Sequence, residues 1–356
     1  IRQATVEAKA ETKKPTLIIC KTIIGLGSPN KQGKEDCHGA PLGNDEIALT
    51  RQALGWTEEA FVIPADIYAA WDAKDKGAKS EAAWNETFAA YAAKYPTEAA
   101  ELKRRVSGEL PATFAAQADA YIAEVNAKAE TVATRKASQN ALQAFGPLLP
   151  EILGGSADLA PSNKTNMKDA GDFSKENYAG SNFHFGVREQ AMTAITNGIA
   201  LHGGLRPFAA TFFVFSDYTK PMARLTSLMK LPLIYVFTHD SIGVGEDGPT
   251  HEPIEQLAAF RSMPDFTVFR PCDRTETALA WEYAIESKDE PTALVLTRQN
   301  LPQMACSSKE ALKGAYILED SDKETPDGII IASGSEVNLA VSAKAELKNA
   351  GIDVRV

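Results

Sequence analysis

The sequence is poor in cysteine, in histidine and in long apolar runs, and these scarcities exclude several classes of protein. Its four cysteines, Cys20, Cys37, Cys272 and Cys306, have no CxxC spacing, which favours reduced thiols over a disulfide framework or a zinc site. No apolar run approaches the roughly 20 residues that cross a bilayer, and the first residues lack the layout of a signal peptide. These absences predict a soluble protein of the cytoplasm with no membrane partner.

Positive charge is also in short supply, since 37 lysines and arginines face 47 acidic residues and leave a net charge of −10. An acidic surface repels the phosphates of nucleic acid, so nucleic acid is excluded as a partner. A smaller anionic ligand must instead meet cations that are gathered locally. At 356 residues, of which 44% are hydrophobic, the chain is long enough for two or three domains with buried cores.

Both ends of the sequence have the pattern of an unfinished domain. A helix-like stretch at residues 5–13 leads into an apolar stretch at 17–24, which is interpreted as a buried strand with too little structure around it to cover both faces. At the other end, residues 328–332 and 352–356 are interpreted as strands and 336–348 as a helix. Gly351 is expected just after that helix, as its C′ residue. We therefore expect the chain to be a fragment.

The middle of the chain changes character near residue 150. Residues 64–136 are rich in alanine and charge, with apolar residues at helical spacing, and predict a helical connector in which Pro111 occupies a first turn. From residue 151 onward, short apolar strands alternate with amphipathic helices, which predicts an α/β fold with a mainly parallel sheet and helices on both faces. The predicted strands are residues 153–157, 183–187, 233–238, 266–269 and 293–297.

Polar side chains follow most of these strands at the point where each strand ends. Ligands of open parallel sheets bind beyond the carboxyl ends of the strands, so these side chains are candidates for one shared site. Singly, each is more typical of a helix cap or a surface ion pair, and only their joint placement indicates a site. They are Asp158, Ser162, Arg188, Glu189, His239, Asp240 and Arg298.

A glycine pattern at residues 243–248 formally matches the GxGxxG of dinucleotide-binding proteins. Glu246 and Asp247 would set negative charge against the pyrophosphate, and four residues separate the strand from the first glycine, so we reject this interpretation. Residues 27–34 are likewise no Walker A loop, because the spacing is one residue too long and Glu35 stands where Ser or Thr should bind magnesium.

Aromatic and histidine side chains form a second group of candidates. Phe212, Phe215 and Tyr218 are spaced to share one side of a helix, which is typical of a core stripe but also suits a flat heterocycle. Three of the five histidines, His38, His239 and His251, fall in predicted loops. Taken singly, each histidine also fits a structural role in which backbone groups bind its ring nitrogens.

Seven motifs together resemble the transketolase family over essentially the whole chain. They are CKTIIGLGSPN (20–30), HGAPLG (38–43), TRKAS (134–138), GGSADLAPSN (154–163), FGVRE (185–189), THDSI (238–242) and GEDGPTH (245–251). The resemblance implies the end of a diphosphate-binding domain and a helical connector at 1–105, a pyrimidine-binding domain at 106–314, and the start of a C-terminal domain at 315–356.

The resemblance also implies an activity, a cofactor and partners. Transketolases move a two-carbon ketol unit from a ketose phosphate to an aldose phosphate in the pentose phosphate pathway, with thiamine diphosphate and Mg²⁺ or Ca²⁺, at the interface of a homodimer. The family's metal motif, Gly-Asp-Gly followed by Asn, has no counterpart in this sequence. No metal ligand is therefore assigned, and the chain alone is expected neither to bind the cofactor tightly nor to turn over.

By the same resemblance, each candidate side chain has an implied role. Glu189 would donate from its protonated form to N1′ of the cofactor's aminopyrimidine, because a dry site disfavours the carboxylate. For the cofactor, the resemblance implies an aromatic wall around the pyrimidine (Phe212, Phe215 and Tyr218), an interface position nearby (Asp158) and a contact with the diphosphate (His38). For the substrate, it implies that His38 and His251 contact hydroxyl groups and transfer protons, and that Asp247 recognises the C2 hydroxyl of the donor. The implied site for the sugar phosphate consists of Arg135, Ser162, His239 and Arg298.

Three alternatives stay open at this point. Dihydroxyacetone synthase shares the fold, the cofactor and most of the motifs. A non-catalytic assembly protein derived from a transketolase would gain nothing from keeping Glu189 and the phosphate-binding candidates. A nucleotide-dependent dehydrogenase is the most distant alternative.

Overall fold

The computed structural model of the protein describes residues 1–305 and 307–356, so Cys306 lies outside it. The other three cysteines are free thiols. Within these ranges the chain divides into two units, Ile1–Thr87 and Phe88–Val356.

The first unit is helical. Its helices are α1 (Arg2–Ala10), α2 (Asp36–Gly39), α3 (Asn44–Leu54), α4 (Ala65–Trp71) and the first part of α5 (Lys74–Lys94). The strand predicted at residues 17–24 is wrong: these residues form no regular element, and Leu17 and Ile19 are 83% and 86% exposed. A strand needs a neighbour to satisfy its backbone amides, and the described part of this unit contains no other strand to pair with it.

The second unit begins with the helices that the connector prediction required. These are α6 (Pro96–Ser107), α7 (Phe114–Lys128) and α8 (Thr134–Phe145). Pro111 is not in a first turn as predicted; it lies before α7, where its carbonyl accepts from the amide of Phe114 at 2.9 Å. Pro96 occupies such a position instead, at the start of α6.

The remaining elements of the second unit alternate strand and helix. The strands are β1 (Val132–Ala133), β2 (Ile152–Ser156), β3 (Asn182–His184), β4 (Arg206–Phe212), β5 (Ile234–Thr238), β6 (Thr267–Phe269), β7 (Thr292–Leu296), β8 (Asn300–Leu301), β9 (Gly328–Ile329) and β10 (Val354–Arg355). The helices are α9 (Ala160–Asn163), α10 (Glu189–His202), α11 (Ser216–Leu228), α12 (Gln256–Arg261), α13 (Arg274–Glu286) and α14 (Glu336–Asn349).

Six of these strands form one parallel sheet in the order β3-β2-β4-β5-β7-β6. The predicted α/β fold with a mainly parallel sheet is therefore confirmed. Close approach at β2 requires glycine, because a Cβ on Gly155 would lie 1.9 Å from the carbonyl oxygen of Phe183. Strand β4, which lies between β2 and β5, was not predicted from the sequence.

Two apolar clusters cover the two faces of the sheet. Alternate side chains of β5 point to opposite sides, so Val236 joins a cluster with Trp281 while Phe237 joins one with Phe260. All four of these residues are fully buried. The burial of both faces fixes the positions of the strand ends, where the candidate site residues lie.

The C-terminal segment (residues 315–356) has the predicted strand, helix and strand. Strand β9 pairs in parallel with β10, and α14 lies between them in sequence. Gly351 follows the Ala350 cap with a φ of +80°, as predicted for a C′ residue. No helix among residues 1–305 and 307–356 is long and apolar enough to cross a membrane.

Candidate active site

The candidate residues of the second unit gather at the carboxyl edge of the parallel sheet. Thr134, at the start of α8, and Thr297, just after β7, hold each other through two backbone-to-hydroxyl bonds: the Thr134 amide donates to Thr297 Oγ1 at 3.0 Å, and the Thr297 amide donates to Thr134 Oγ1 at 2.7 Å. This reciprocal pair fixes the start of α8 against the end of β7. It brings Arg135 and Arg298, each the next residue in sequence, to the same edge.

The Arg135 guanidinium donates to two acceptors and has no acidic partner among the described residues. Its Nη1 donates to the carbonyl oxygen of Ser162 at 2.8 Å and to Nε2 of His239 at 3.3 Å. Its Nε is buried and has no hydrogen-bond partner within the part of the chain that the structure describes. Burial, and then the positive charge of Arg298, lower the pKa of Arg135. An anion bound beside Arg135 would offset both the burial of the guanidinium and its repulsion from Arg298.

Arg298 is half-buried and pairs with Glu246 across 2.6 Å. The pair connects the end of β7 to the loop that follows β5. Glu246 lies in the glycine pattern at residues 243–248, which opens no helix: the next helix, α12, begins at Gln256. This arrangement agrees with the rejection of a dinucleotide-binding loop.

His239 is buried and sits directly after β5 with a φ of +61°, in the left-handed region. Its Nδ1 lies 2.7 Å from the hydroxyl of Thr238, and its ring stacks on Phe212 with the centroids 3.6 Å apart. Burial, together with the charges of Arg135, Arg298 and His251, lowers the pKa of His239 to about 3. The imidazole is therefore neutral at physiological pH.

The rings of Phe212, Phe215 and Tyr218 form a ladder that continues from His239. Phe212 stacks on Phe215 with the centroids 6.0 Å apart, and Phe215 stacks on Tyr218 at 6.3 Å. His251 meets the Phe215 ring edge-on at 5.3 Å. The prediction that the three aromatic residues share one side of a helix is wrong, because Phe212 ends β4, Phe215 ends a 3₁₀ turn and only Tyr218 lies in α11. The ladder instead follows the turn from strand to helix.

Glu189 lies at the mouth of an open groove of about 490 Å³. It is the first residue of α10 and is half-buried. The groove is lined by Arg188, Glu189, Gln190, Ala191, Ala194, Tyr218 and Met222. Glu189 and the Tyr218 ring thus line the same groove. Such a space fits a flat heterocycle with a polar edge.

The other predicted site residues lie on exposed loops or in the first unit. Asp158 is exposed with a φ of +61°, and Asp247 is exposed in the loop after β5. His38 is exposed on α2 of the first unit. Within the described residues of the second unit, no side-chain hydrogen bond or ion pair links Asp158 or Asp247 to the cluster around Arg135.

Within the first unit, Glu46 anchors the loop that precedes His38. Its carboxylate accepts from the Ser28 hydroxyl, from the Asn30 amide at 2.8 Å and from the Asn30 side chain at 2.9 Å. These hydrogen bonds, with that from Ser28 the strongest, lower the pKa of Glu46 to about 2. No feature of the sequence singled out Glu46.

Two more residues of the site were missed by the sequence analysis. The Thr238 hydroxyl donates to Asn163 Oδ1 at 2.7 Å, and Asn163 Nδ2 donates to Ser156 Oγ at 3.0 Å. Both Thr238 and Asn163 are fully buried. Their positions beside His239 and Ser162 were the available signal, since each directly adjoins a predicted site residue.

The described residues contain no group of three or more His, Cys, Asp or Glu side chains that could hold a metal ion. The Mg²⁺ or Ca²⁺ that the sequence resemblance implies therefore has no ligand set among them.

Three family models match the chain in succession. They are described as "Transketolase, thiamine diphosphate binding domain" over residues 1–111, "Transketolase, pyrimidine binding domain" over 130–304 and "Transketolase-like TK C-terminal domain" over 314–356. Among curated proteins, "Transketolase 1" of Vibrio cholerae is 57% identical over 359 aligned residues, which are 100% of this chain and 54% of that protein.

Solved structures agree with these matches. The transketolase of Leishmania mexicana superposes with a TM-score of 0.89 at 42% identity, covering 100% of this chain and 52% of that one. A Pichia stipitis transketolase in complex with sedoheptulose 7-phosphate gives a TM-score of 0.89 at 44% identity, covering 99% of this chain and 53% of that one. The chain thus spans about half the length of the curated relatives that it matches.

Proposed function

This chain belongs to the transketolase family, and on that premise we propose that it takes part in moving a two-carbon ketol unit from a ketose phosphate to an aldose phosphate. The observation that carries the proposal is the pair of arginines at the sheet edge. Arg135 and Arg298 are close enough for each other's charge to matter, and Arg135 keeps a buried Nε without a partner. A phosphate group fits this deficit.

The phosphate site has a specific chemical basis. Guanidinium groups bind phosphate with two donors at once, and a local pair of them overcomes a net charge of −10. We assign Arg135, Ser162, His239 and Arg298 to the phosphate of the sugar. The Pichia stipitis relative was solved with sedoheptulose 7-phosphate, which supports a phosphorylated ketose as the ligand here.

The groove beside Glu189 fits the aminopyrimidine of thiamine diphosphate. The ring would lie against the ladder of Phe212, Phe215 and Tyr218, and the Glu189 carboxyl would donate a hydrogen bond to N1′. When bound, the cofactor supplies the electron sink that the transfer of a carbon fragment requires. Asp158 would line the interface near it.

Two histidines are assigned to the substrate hydroxyls. His251 is positioned edge-on to the ladder and is assigned, with His38, to contacts with hydroxyl groups and to proton transfer. His38 is further assigned to the cofactor diphosphate, and Asp247 to the C2 hydroxyl of the donor. Both assignments follow the family resemblance of their motifs.

The broader setting is also proposed. We propose a homodimer, which is supported by the exposed apolar residues Ile195 and Leu201 of α10 and Leu228 of α11. We further propose the pentose phosphate pathway, a cytoplasmic location in keeping with the free thiols, and domains at 1–105, 106–314 and 315–356. No described group of three or more His, Cys, Asp or Glu side chains would hold the divalent metal.

The test is a ketol-transfer assay on the protein as its own cells produce it, with thiamine diphosphate, Mg²⁺, sedoheptulose 7-phosphate and an aldose phosphate. Glu189→Gln should lower kcat by roughly a hundredfold or more, the usual size of an acid–base contribution, with unchanged circular dichroism. Glu176→Gln, at an exposed acid, is the matched control and should leave kcat unchanged.

Two outcomes would count against the proposal. Near-normal turnover of Glu189→Gln would remove Glu189 from the mechanism. Transfer to formaldehyde without transfer to aldose phosphates would favour dihydroxyacetone synthase.

A further inference from the structure

A continuous hydrogen-bond chain runs from the core of the sheet to Arg135. It passes from Ser156 at the end of β2 through Asn163 and Thr238 to the two ring nitrogens of His239, and ends at the Arg135 guanidinium. The distances along it are 3.0, 2.7, 2.7 and 3.3 Å.

The direction of each hydrogen bond in this series follows from the Arg135 guanidinium at its end. A guanidinium has only donors, so Nε2 of His239 must be the unprotonated, accepting nitrogen. In a neutral imidazole the proton is then on Nδ1, which donates to Thr238 Oγ1. The hydroxyl of Thr238 in turn donates to Asn163 Oδ1, and the amide of Asn163 donates to Ser156. Every donor meets an acceptor in this scheme.

We propose that Asn163 and Thr238 are positioning residues that hold His239 in its Nδ1-protonated tautomer, so that Nε2 accepts from Arg135 and aims its guanidinium at the ligand phosphate. This proposal rests on the phosphate site of the proposed function. It assigns His239 the role of an acceptor for arginine in the free site, in addition to its place beside the phosphate.

A neutral acceptor suits this task better than a carboxylate. A carboxylate beside Arg135 would cancel the charge that the phosphate needs, whereas a neutral imidazole orients the guanidinium and leaves its charge intact. The charged or titratable groups that influence His239 are Arg135, Arg298 and His251, and two of these are permanently cationic. The lowered pKa of His239 agrees with an imidazole that stays neutral among them.

The tautomer can be observed directly. In a ¹⁵N-histidine-labelled sample each histidine gives its own imidazole signals, and His239→Asn identifies the set that belongs to residue 239. Long-range ¹H–¹⁵N correlation spectra of the wild-type protein should show His239 protonated at Nδ1 alone. A His239 protonated at Nε2 would overturn the proposal without any mutation.

Thr238→Val removes the acceptor for Nδ1–H while keeping the shape of the side chain. We expect a mixture of tautomers at His239 and a roughly tenfold larger dissociation constant for inorganic phosphate. A change of this size corresponds to the loss of one hydrogen bond to a charged group. Thr238→Ser keeps the hydroxyl and should restore both. Wild-type values for both in Thr238→Val would overturn the proposal.

Thr165→Val is the matched control, because the Thr165 hydroxyl is equally buried and lies 2.7 Å from Ser156 Oγ at the far end of the same network. It should cost stability without changing the tautomer or phosphate affinity. An equal loss of phosphate affinity in Thr165→Val would mean a merely structural role for Thr238. Failure of the proposed function would appear separately, as wild-type protein without ketol transfer, since neither readout here depends on turnover.

Discussion

Arg135 and Arg298 carry like charges at the same sheet edge, but only Arg298 has an acidic partner among the described residues. The partner, Glu246, is mostly exposed, so the ion pair contributes little to stability. On the proposed function, Arg298 would exchange Glu246 for the phosphate of the ligand. Mutation of Arg298 and mutation of Glu246 should therefore have different consequences, although the two residues form one ion pair.

Arg298→Ala should raise the KM for phosphorylated sugars by roughly tenfold to a hundredfold, the size of a charge-assisted contact, and leave the KM for unphosphorylated sugars nearly unchanged. Steady-state kinetics with both kinds of sugar measure this. Glu246→Ala is the matched control and should not raise either KM, because it removes a competitor for Arg298. Equal increases for both kinds of sugar in Arg298→Ala would contradict the phosphate role.

His239 should make the stability of the fold depend on pH. Its pKa is 6.5 in the unfolded chain and about 3 in the folded one, so only the unfolded chain takes up this proton between those values. Stability from this residue is therefore lost as the pH falls from about 6.5 towards 3, by up to about 1.4 kcal/mol per pH unit. In His239→Asn, which tolerates the left-handed backbone, urea unfolding at pH 7 and pH 5 should show a smaller loss. An identical loss in both proteins would contradict this expectation.

Among single residues, the sequence indicated the charged and ionisable members of the candidate site better than the buried polar residues that hold them in place. The rule that ligands bind beyond strand ends selected His239 and Arg298, which indeed meet at one edge. It could not select Asn163, because its value lies in a bond to Thr238, 75 positions away, and a sequence does not display such bonds. Buried polar residues with long-range partners are the usual gap in this kind of inference.

Among the elements, helix α6 is tied to the sheet by one buried ion pair. Arg104 donates through Nη1 and Nη2 to the two oxygens of Glu151, at 2.8 and 3.0 Å, and the Glu151 side chain is only 3% exposed. A buried carboxylate that loses its partner keeps its desolvation cost without compensation. The pair therefore holds α6 next to the start of β2.

Arg104→Ala should lower the free energy of unfolding by about 3 kcal/mol. Arg105→Ala is the matched control: Arg105 is adjacent in α6 but pairs only with the half-exposed Glu101, so its loss should cost less than about 1 kcal/mol. Denaturant unfolding of both variants measures the difference. Equal costs would mean that Glu151 finds another partner, for which Arg206 at 4.0 Å is the candidate.

The elements that the sequence misjudged have physical explanations. Strand β4 is buried on both faces from Pro207 to Phe212, so it lacks the alternation that marks a half-exposed strand. Its aromatic end was consequently assigned to a helix. Residues 17–24 have the opposite problem: their β-branched composition suits a strand, but strand formation also needs a neighbour, which composition does not reveal.

For the whole molecule, the C-terminal segment is connected to the sheet edge through Arg270. This side chain donates to Asp240 Oδ2 at 2.8 Å and to the carbonyl of Ser333 at 2.8 Å, and it also pairs with Glu336 at the start of α14. Asp240 directly follows His239. One arginine therefore joins the C-terminal segment to the strand end that carries the candidate site.

Arg270→Ala should release the C-terminal segment while the six-stranded sheet persists, because the sheet keeps its own two apolar clusters. Limited trypsin digestion with mass spectrometry should then detect cleavage between residues 313 and 348 at an increased rate. Arg261→Ala is the control, since Arg261 reaches the same segment only through an exposed contact of 3.4 Å with Ser333 Oγ. Identical digestion of both variants and the wild type would exclude this role of Arg270.

The order of the parts was predictable from the sequence, but their connections were not. The change from helical to alternating patterns near residue 150 indicated where the parallel sheet begins, and β2 starts at Ile152. The strand, helix and strand of residues 328–356 were also found from periodicity and one glycine. Connections such as Arg270 to Asp240 join residues on different elements, and their strength depends on burial that appears only after folding.

The like-charged arginines also bear on how long the protein survives in a cell. Without an anion, the Arg135 guanidinium is buried beside a second positive charge, so the empty site favours local opening, whereas a ligand at a hundred times its dissociation constant adds about 2.7 kcal/mol to the folded state. Proteases act on the opened form. On the proposed function, a bound sugar phosphate would therefore slow the degradation of the protein.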